Sequence, residues 1–147
     1  MKASDFTTPH EVWAVVDTDD ARHVAMAMRD HNVRSLPVLD AEGRLEGIVT
    51  ERDLVVRLLA RGRSFETPVH ELMTRPVRTI RMDTPLDQIE AIMREHKIHH
   101  LPVTDEDNHL KGFVSISDLI RHCKDTDLEH DLIDVLEATH SPGKPAK

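Results

Sequence analysis

Gly47-Ile48-Val49-Thr50-Glu51-Arg52-Asp53 returns 65 positions later as Gly112-Phe113-Val114-Ser115-Ile116-Ser117-Asp118. Each copy is a short apolar run that ends at a hydroxyl residue, with a carboxylate three residues further on. Sliding the chain by the same 65 positions aligns Ala14–Arg57 with Thr79–His122 without a gap. Met28, Arg29 and His31 meet Met93, Arg94 and His96, and Leu36-Pro37-Val38 meets Leu101-Pro102-Val103. Asp40, Leu45 and Leu54 meet Asp105, Leu110 and Leu119. A match of this length identifies a tandem repeat.

Each repeat reads as a leading strand (Val12–Val16; Val77–Arg81), a polar turn, a helix, a hairpin and a second helix. Leu86, Ile89, Ile92 and Met93 form the helical stripe of the second repeat, and Val24, Ala27 and Met28 that of the first. Leu36–Leu39 and Leu45–Val49 are the hairpin strands of the first repeat; His100–Thr104 and Leu110–Val114 are those of the second. Gly43 and Asn108 stand where the turns between them need a left-handed residue. The second helices are Glu51–Arg61 and Ile116–His122. Val69–Met73 reads as one helical turn. Its counterpart near Ser4–Thr8 is less regular and carries one extra residue.

The predicted fold class is α+β. The first repeat spans 1–62, a linker 63–67, the second repeat 68–124, a C-terminal helix 125–140 and a disordered tail 141–147. Leu128, Leu132, Val135 and Leu136 give the C-terminal helix an apolar stripe. It packs on its own domain or makes a subunit contact.

Composition narrows the function. The 147 residues carry a net charge of −8, and only Phe6, Trp13, Phe65 and Phe113 are aromatic. That predicts no nucleic-acid partner, which would call for a basic face and stacking platforms. No apolar run approaches the ~20 residues of a membrane span, so no membrane partner is predicted. With Cys123 alone, no internal disulfide is possible, and a cytoplasmic location is the default.

The paired turns carry the functional expectation. A strand ending at Thr50 with a helix after it presents backbone N–H groups to a phosphate. Gly47 would let a flat ligand approach the strand, and Asp53 can accept both hydroxyls of a ribose. Gly112, Ser115 and Asp118 repeat the arrangement. The plainer reading is a capping box, a hydroxyl followed three residues later by an acid. The two readings are compatible, since the carboxylate can cap in the empty state and bind ribose when filled.

The order Leu-Pro-Val, acidic turn and Gly-x-x-Thr/Ser-x-x-Asp-Leu, repeated once, resembles a pair of CBS (cystathionine-beta-synthase) domains. The resemblance runs to about His122. It implies two β-α-β-β-α units packed through their sheets as a pseudo-two-fold pair, a Bateman module, which tends to dimerise. It also implies a non-catalytic regulatory module that binds adenosine-containing ligands between the repeats and signals to a protein target. AMP, ADP or ATP come first; S-adenosylmethionine, NAD and cyclic di-AMP are alternatives. By that resemblance Asp53 and Asp118 hold ribose, and Thr50 and Ser115 touch ribose or phosphate. Ala14-Val15 and Thr79-Ile80, with the segments before Pro37 and Pro102 (Ser35 among them), enclose adenine. Arg52 supplies charge for phosphate, and Arg34, His99 and His100 reach phosphates from the opposite side. Ala14 stands opposite Thr79, and Ser117 opposite Arg52, so unequal sites are expected. The alternative is a dimerisation module with no nucleotide binding. His96, His99 and His100 raise the question of zinc, but adjacent strand residues point to opposite faces and no metal site is assigned. No nucleophile–base set marks an enzyme.

Overall fold

The computed structural model describes residues 1–7 and 13–122. The helix and tail read over 125–147, and the start of the first leading strand at Val12, lie outside them. The architecture is mixed α+β, with the two repeats each built as a helix beside a small sheet. Among the described residues no helix is long and apolar enough to cross a membrane.

In the first repeat, β1 (Val15–Val16) pairs in parallel with β2 (Ser35–Leu39), and β2 pairs antiparallel with β3 (Leu45–Thr50). The register sets Ser35 opposite Thr50 and Pro37 opposite Ile48, with an irregularity at Val38/Leu39. Helix α1 (Ala21–His31) starts at Asp20, whose side chain accepts the His23 N–H, and stops at Asn32 in the left-handed conformation. Asn tolerates that conformation better than most residues. Val15, Val24, Leu36, Val38, Val49 and Val69 close the core of this unit. Alternation along β3 is clean: Leu45, Gly47 and Val49 face inward.

The second repeat follows the same plan with α3 (Leu86–His96), β4 (His100–Thr104), β5 (Leu110–Ser115) and α4 (Ile116–His122). Its leading strand shrinks to a single parallel bridge, Ile80 to Val103, which matches Val15 to Val38. Lys97 ends α3 at φ 53°, the conformation that Asn32 adopts in the first repeat. The turn residues Gly43 and Asn108 both take positive φ, as read from the sequence.

Two compact units emerge, and they do not follow the repeat boundaries. Among the described residues, one contains 1–7 with 79–105 and 111–122; the other contains 13–78 together with 106–110. Short 3-10 turns explain the exchange. Ala3–Asp5 leads into Phe6, and Ala3 and Phe6 are buried among Ile80, Ile89, Leu101 and Val114 of the second repeat. Val69–Glu71 leads into Leu72, and Val69 and Met73 are buried in the first-repeat core. The segment read as the start of the first repeat therefore completes the core of the second. The turn read as the start of the second repeat serves the first. The second helix of the first repeat also departs from its expected form. It is α-helical over Glu51–Asp53 (α2) and continues as a π-helix over Leu54–Leu59.

Candidate functional site

Both turns fold back on themselves through the same pair of bonds. At Thr50 the backbone N–H donates to Asp53 Oδ2 at 2.9 Å, and the Asp53 N–H donates to Thr50 Oγ1 at 3.1 Å. At Ser115 the backbone N–H donates to Asp118 Oδ2 at 3.1 Å and the Asp118 N–H to Ser115 Oγ at 3.1 Å. The Ser115 hydroxyl also donates to Asp118 Oδ2 at 2.7 Å. These are capping boxes. Each junction is pinned to the start of its hairpin. The Glu51 N–H donates to the Arg34 carbonyl at 3.0 Å, and the Ile116 N–H to the His99 carbonyl at 2.8 Å. Thr50, Asp53, Arg34 and Ser35 thereby gather at one end of the first sheet. Ser115, Asp118, His99 and His100 gather at one end of the second.

The two carboxylates are held differently. Asp53 is buried, with 7% of its surface exposed. Thr74 Oγ1 donates toward it at 3.3 and 3.4 Å, and Arg57 Nε lies 3.5 Å from Oδ1. Arg57 is itself anchored to the Met73 carbonyl at 3.0 Å. Asp118 keeps 21% side-chain exposure, with Arg121 at 3.9 Å. Thr74 and Arg57 were not among the residues read from the sequence. Thr74 lies 21 positions from Asp53, and no local pattern joins them.

The other predicted residues fall into two sets. Val15, Pro37, Ile80 and Pro102 are buried, so their side chains serve the sheets. The backbone of the pair Ile80 and Pro102 is also engaged, with the Ile80 N–H donating to the Pro102 carbonyl at 3.0 Å. Ala14, Arg34, Arg52 and His100 are exposed, while Ser35, Thr50, Thr79, His99, Ser115 and Asp118 are half-buried. Although His100 is exposed as a whole, its ring stands edge-on to Phe113 at 6.3 Å. Crowding around the ring lowers its pKa, the neighbouring His99 lowers it further, and Asp118 opposes both.

One expectation is corrected. Gly47 leaves no room for a ligand over its strand. A Cβ there would stand 2.7 Å from Met73 Sδ and 3.0 Å from the Thr74 carbonyl oxygen. At Gly112 a Cβ would collide with Thr7 Cγ2. Both glycines are there for close approach of the exchanged leading segment.

The family model for the CBS domain matches twice, at residues 3–60 and 69–125. A CBS domain-containing protein from Bacillus subtilis, YhcV, is 34% identical over 119 residues, covering 81% of this chain and 84% of its own. The crystal structure of CBSX2 in complex with AMP is similar at a TM-score of 0.73 and 26% identity, covering 82% of this chain and 94% of its own. The CBS domain pair of MJ0100, solved with 5'-methylthioadenosine and S-adenosyl-L-methionine, gives a TM-score of 0.73 at 27% identity, covering 83% and 94%. With the motif, the register and the capped turn each present twice, the chain belongs to the CBS domain family as a tandem pair.

Proposed function

We propose that this chain is a non-catalytic regulatory module that binds an adenosine-containing ligand, with AMP, ADP or ATP first, and acts on a protein target as a homodimer. The observation that carries the reading is the duplicated turn. A carboxylate lies beside a hydroxyl at the end of a hairpin strand, with Arg34 or His99 and His100 at the neighbouring strand start. A carboxylate accepts two ribose hydroxyls well, and the nearby cations and imidazoles suit phosphate. The ligands held by CBSX2 and MJ0100 share an adenosine moiety, which supports the class of ligand. Signalling then follows from differential affinity for two arrangements of the module.

The second reading, an assembly module without nucleotide, draws support from Asp53. That carboxylate already has Thr50, Thr74 and Arg57 around it. Asp118, more open, is the better placed of the two to take ribose, so we assign first binding to its turn. Thermal melting with AMP, ADP, ATP, S-adenosylmethionine, NAD and cyclic di-AMP tests this. A ligand near 100-fold over its Kd adds about 2.7 kcal/mol. A shift with one of them, lost in Asp118→Ala, is the expected result. No shift with any of the six would overturn the nucleotide reading in favour of the assembly module.

A further inference from the structure

The two capped turns hold equivalent places, yet different kinds of group carry the charge around them. The 65-residue offset sets Arg34 against His99, Ser35 against His100, Arg52 against Ser117 and Arg57 against His122. At the first turn Arg34 and Arg52 are exposed, and Arg57 lies 3.5 Å from Asp53. A guanidinium keeps its charge throughout the working range of pH. At the second turn imidazoles stand in two of those three arginine places and a serine in the third. An imidazole changes charge between about pH 5 and 8. Helix α4 adds Arg121, 3.9 Å from Asp118, where the first repeat has Val56.

His100 is the imidazole placed to meet a ligand. Its counterpart Ser35 pairs directly across the hairpin with Thr50, and directly opposed side chains share a face of the sheet. The same place in β4 sets His100 on the face of Phe113 and Ser115, with its ring edge-on to Phe113. The titratable groups that act on the ring are His99 beside it and Asp118 from α4. The other charged groups of these elements are engaged elsewhere. His122 Nδ1 donates to the Asp118 carbonyl at 2.7 Å and its ring stands edge-on to Phe6 at 5.5 Å. Lys111 on β5 lies 3.5 Å from Asp105.

We propose that His100 makes the second turn select its ligand by charge, taking up a proton when a phosphate-bearing adenosine ligand binds and holding phosphate more weakly when neutral. This rests on the nucleotide reading above and names the residue that separates a nucleotide from bare adenosine at that turn. Crowding of the ring, and then His99, favour the neutral form in the free protein. A phosphate beside the ring favours the charged form and raises its pKa. Affinity for phosphate therefore climbs as pH falls through the pKa of the bound state, and levels off below that of the free state. Ser35 gives the first turn no such linkage. The two turns thus respond differently to pH although their capping boxes are alike.

Calorimetric titration with AMP and with adenosine, at about pH 8 and about pH 5.5, tests the proposal on the full chain and on His100→Ser, which installs the residue of the first repeat. The preference for AMP over adenosine is expected to rise toward the lower pH roughly tenfold more in the wild type than in the variant, since a one-unit shift in pKa is tenfold in affinity. The titration of the AMP phosphate itself enters both proteins alike and cancels. NMR of the wild-type chain needs no variant, and decides the matter should His100→Ser fail to fold: the His100 ring should titrate at higher pH with AMP bound than without. The same pH profile in both proteins, or a ring pKa unmoved by AMP, overturns this inference and leaves the ligand reading standing. Adenosine bound with no preference for AMP at either pH overturns it as well, while the adenosine class survives. Binding of neither compound at either pH overturns both.

Discussion

Replacing Asp53 by Ala should cost more stability than replacing Asp118 by Ala, although the two residues hold the same position in their repeats. Asp53→Ala removes the acceptor of the half-buried Thr50 N–H, and with it the acceptor of the Thr74 hydroxyl and the counterion of Arg57, two more exposed partners of a side chain that is itself 9% exposed. A hydrogen bond to a charged group contributes ~1.5–3 kcal/mol, and a buried donor left without its partner costs ~1–3. The longer Thr74 and Arg57 contacts add the lesser part, so a loss of about 3 kcal/mol follows. Asp118→Ala loses the Ser115 N–H and hydroxyl bonds at a position 21% exposed, where water can replace the carboxylate. About 1.5 kcal/mol follows there. Urea unfolding separates the two. Trp13 is the single tryptophan and stacks on His31 at 3.5 Å, so its fluorescence follows the unit that holds Asp53. Circular dichroism follows the whole. With a slope of ~1–3 kcal/mol per molar urea, the midpoints should differ by roughly 0.5–1.5 M. Equal midpoints, or a larger loss for Asp118→Ala, would refute the reasoning that Thr74 and Arg57 tie Asp53 into the fold.

Three other perturbations bear on the account. Gly47→Ala should destabilise by ~1–3 kcal/mol, because the new methyl group meets the Met73 side chain and the Thr74 carbonyl oxygen; a neutral effect in thermal melting would show that the exchanged segment does not seat there. Lys97→Gly should stabilise by about 1 kcal/mol, since Lys97 holds a φ of 53° that glycine adopts without penalty, while Asn32→Gly should change little. The His100 pKa is lowered from its usual 6.5. The unfolded chain therefore binds more protons than the folded one as pH falls below about 6.5, and stability declines from there down through the folded pKa. An NMR titration of the His100 ring checks the direction, and His100→Gln should flatten that part of the stability profile.

The repeat made much of this fold readable from sequence. An ungapped offset meant that each weak local signal was seen twice, and the hairpins, the left-handed turns at Gly43 and Asn108 and the capped junctions at Thr50 and Ser115 all stand where those signals placed them. The exchanged leading segments were not readable. Ala3–Asp5 and Val69–Glu71 are single 3-10 turns, too short for periodicity, and the core that each joins is decided by tertiary packing. Gly47 and Gly112 were misread for the same reason. A glycine in a strand signals close approach, but only the fold says that the neighbour is Met73 or Thr7 rather than a ligand. The π-helix at Leu54–Leu59 has no counterpart in residue propensity. At the site, Asp53 and Asp118 were visible as motif positions. Thr74 and Arg57 were hidden because what gives them meaning is the Met73–Thr74 segment laid against β3, where the Ile48 N–H donates to the Thr74 carbonyl at 3.2 Å.

The most direct test of the central claim is isothermal titration of the full chain with the adenine nucleotide that raises its melting temperature most, beside Asp118→Ala. The account predicts saturable binding to the wild-type chain and a loss of at least tenfold in affinity for Asp118→Ala, with the variant still folded. Unchanged affinity in Asp118→Ala, or no heat of binding to the wild-type chain at millimolar nucleotide, would contradict it.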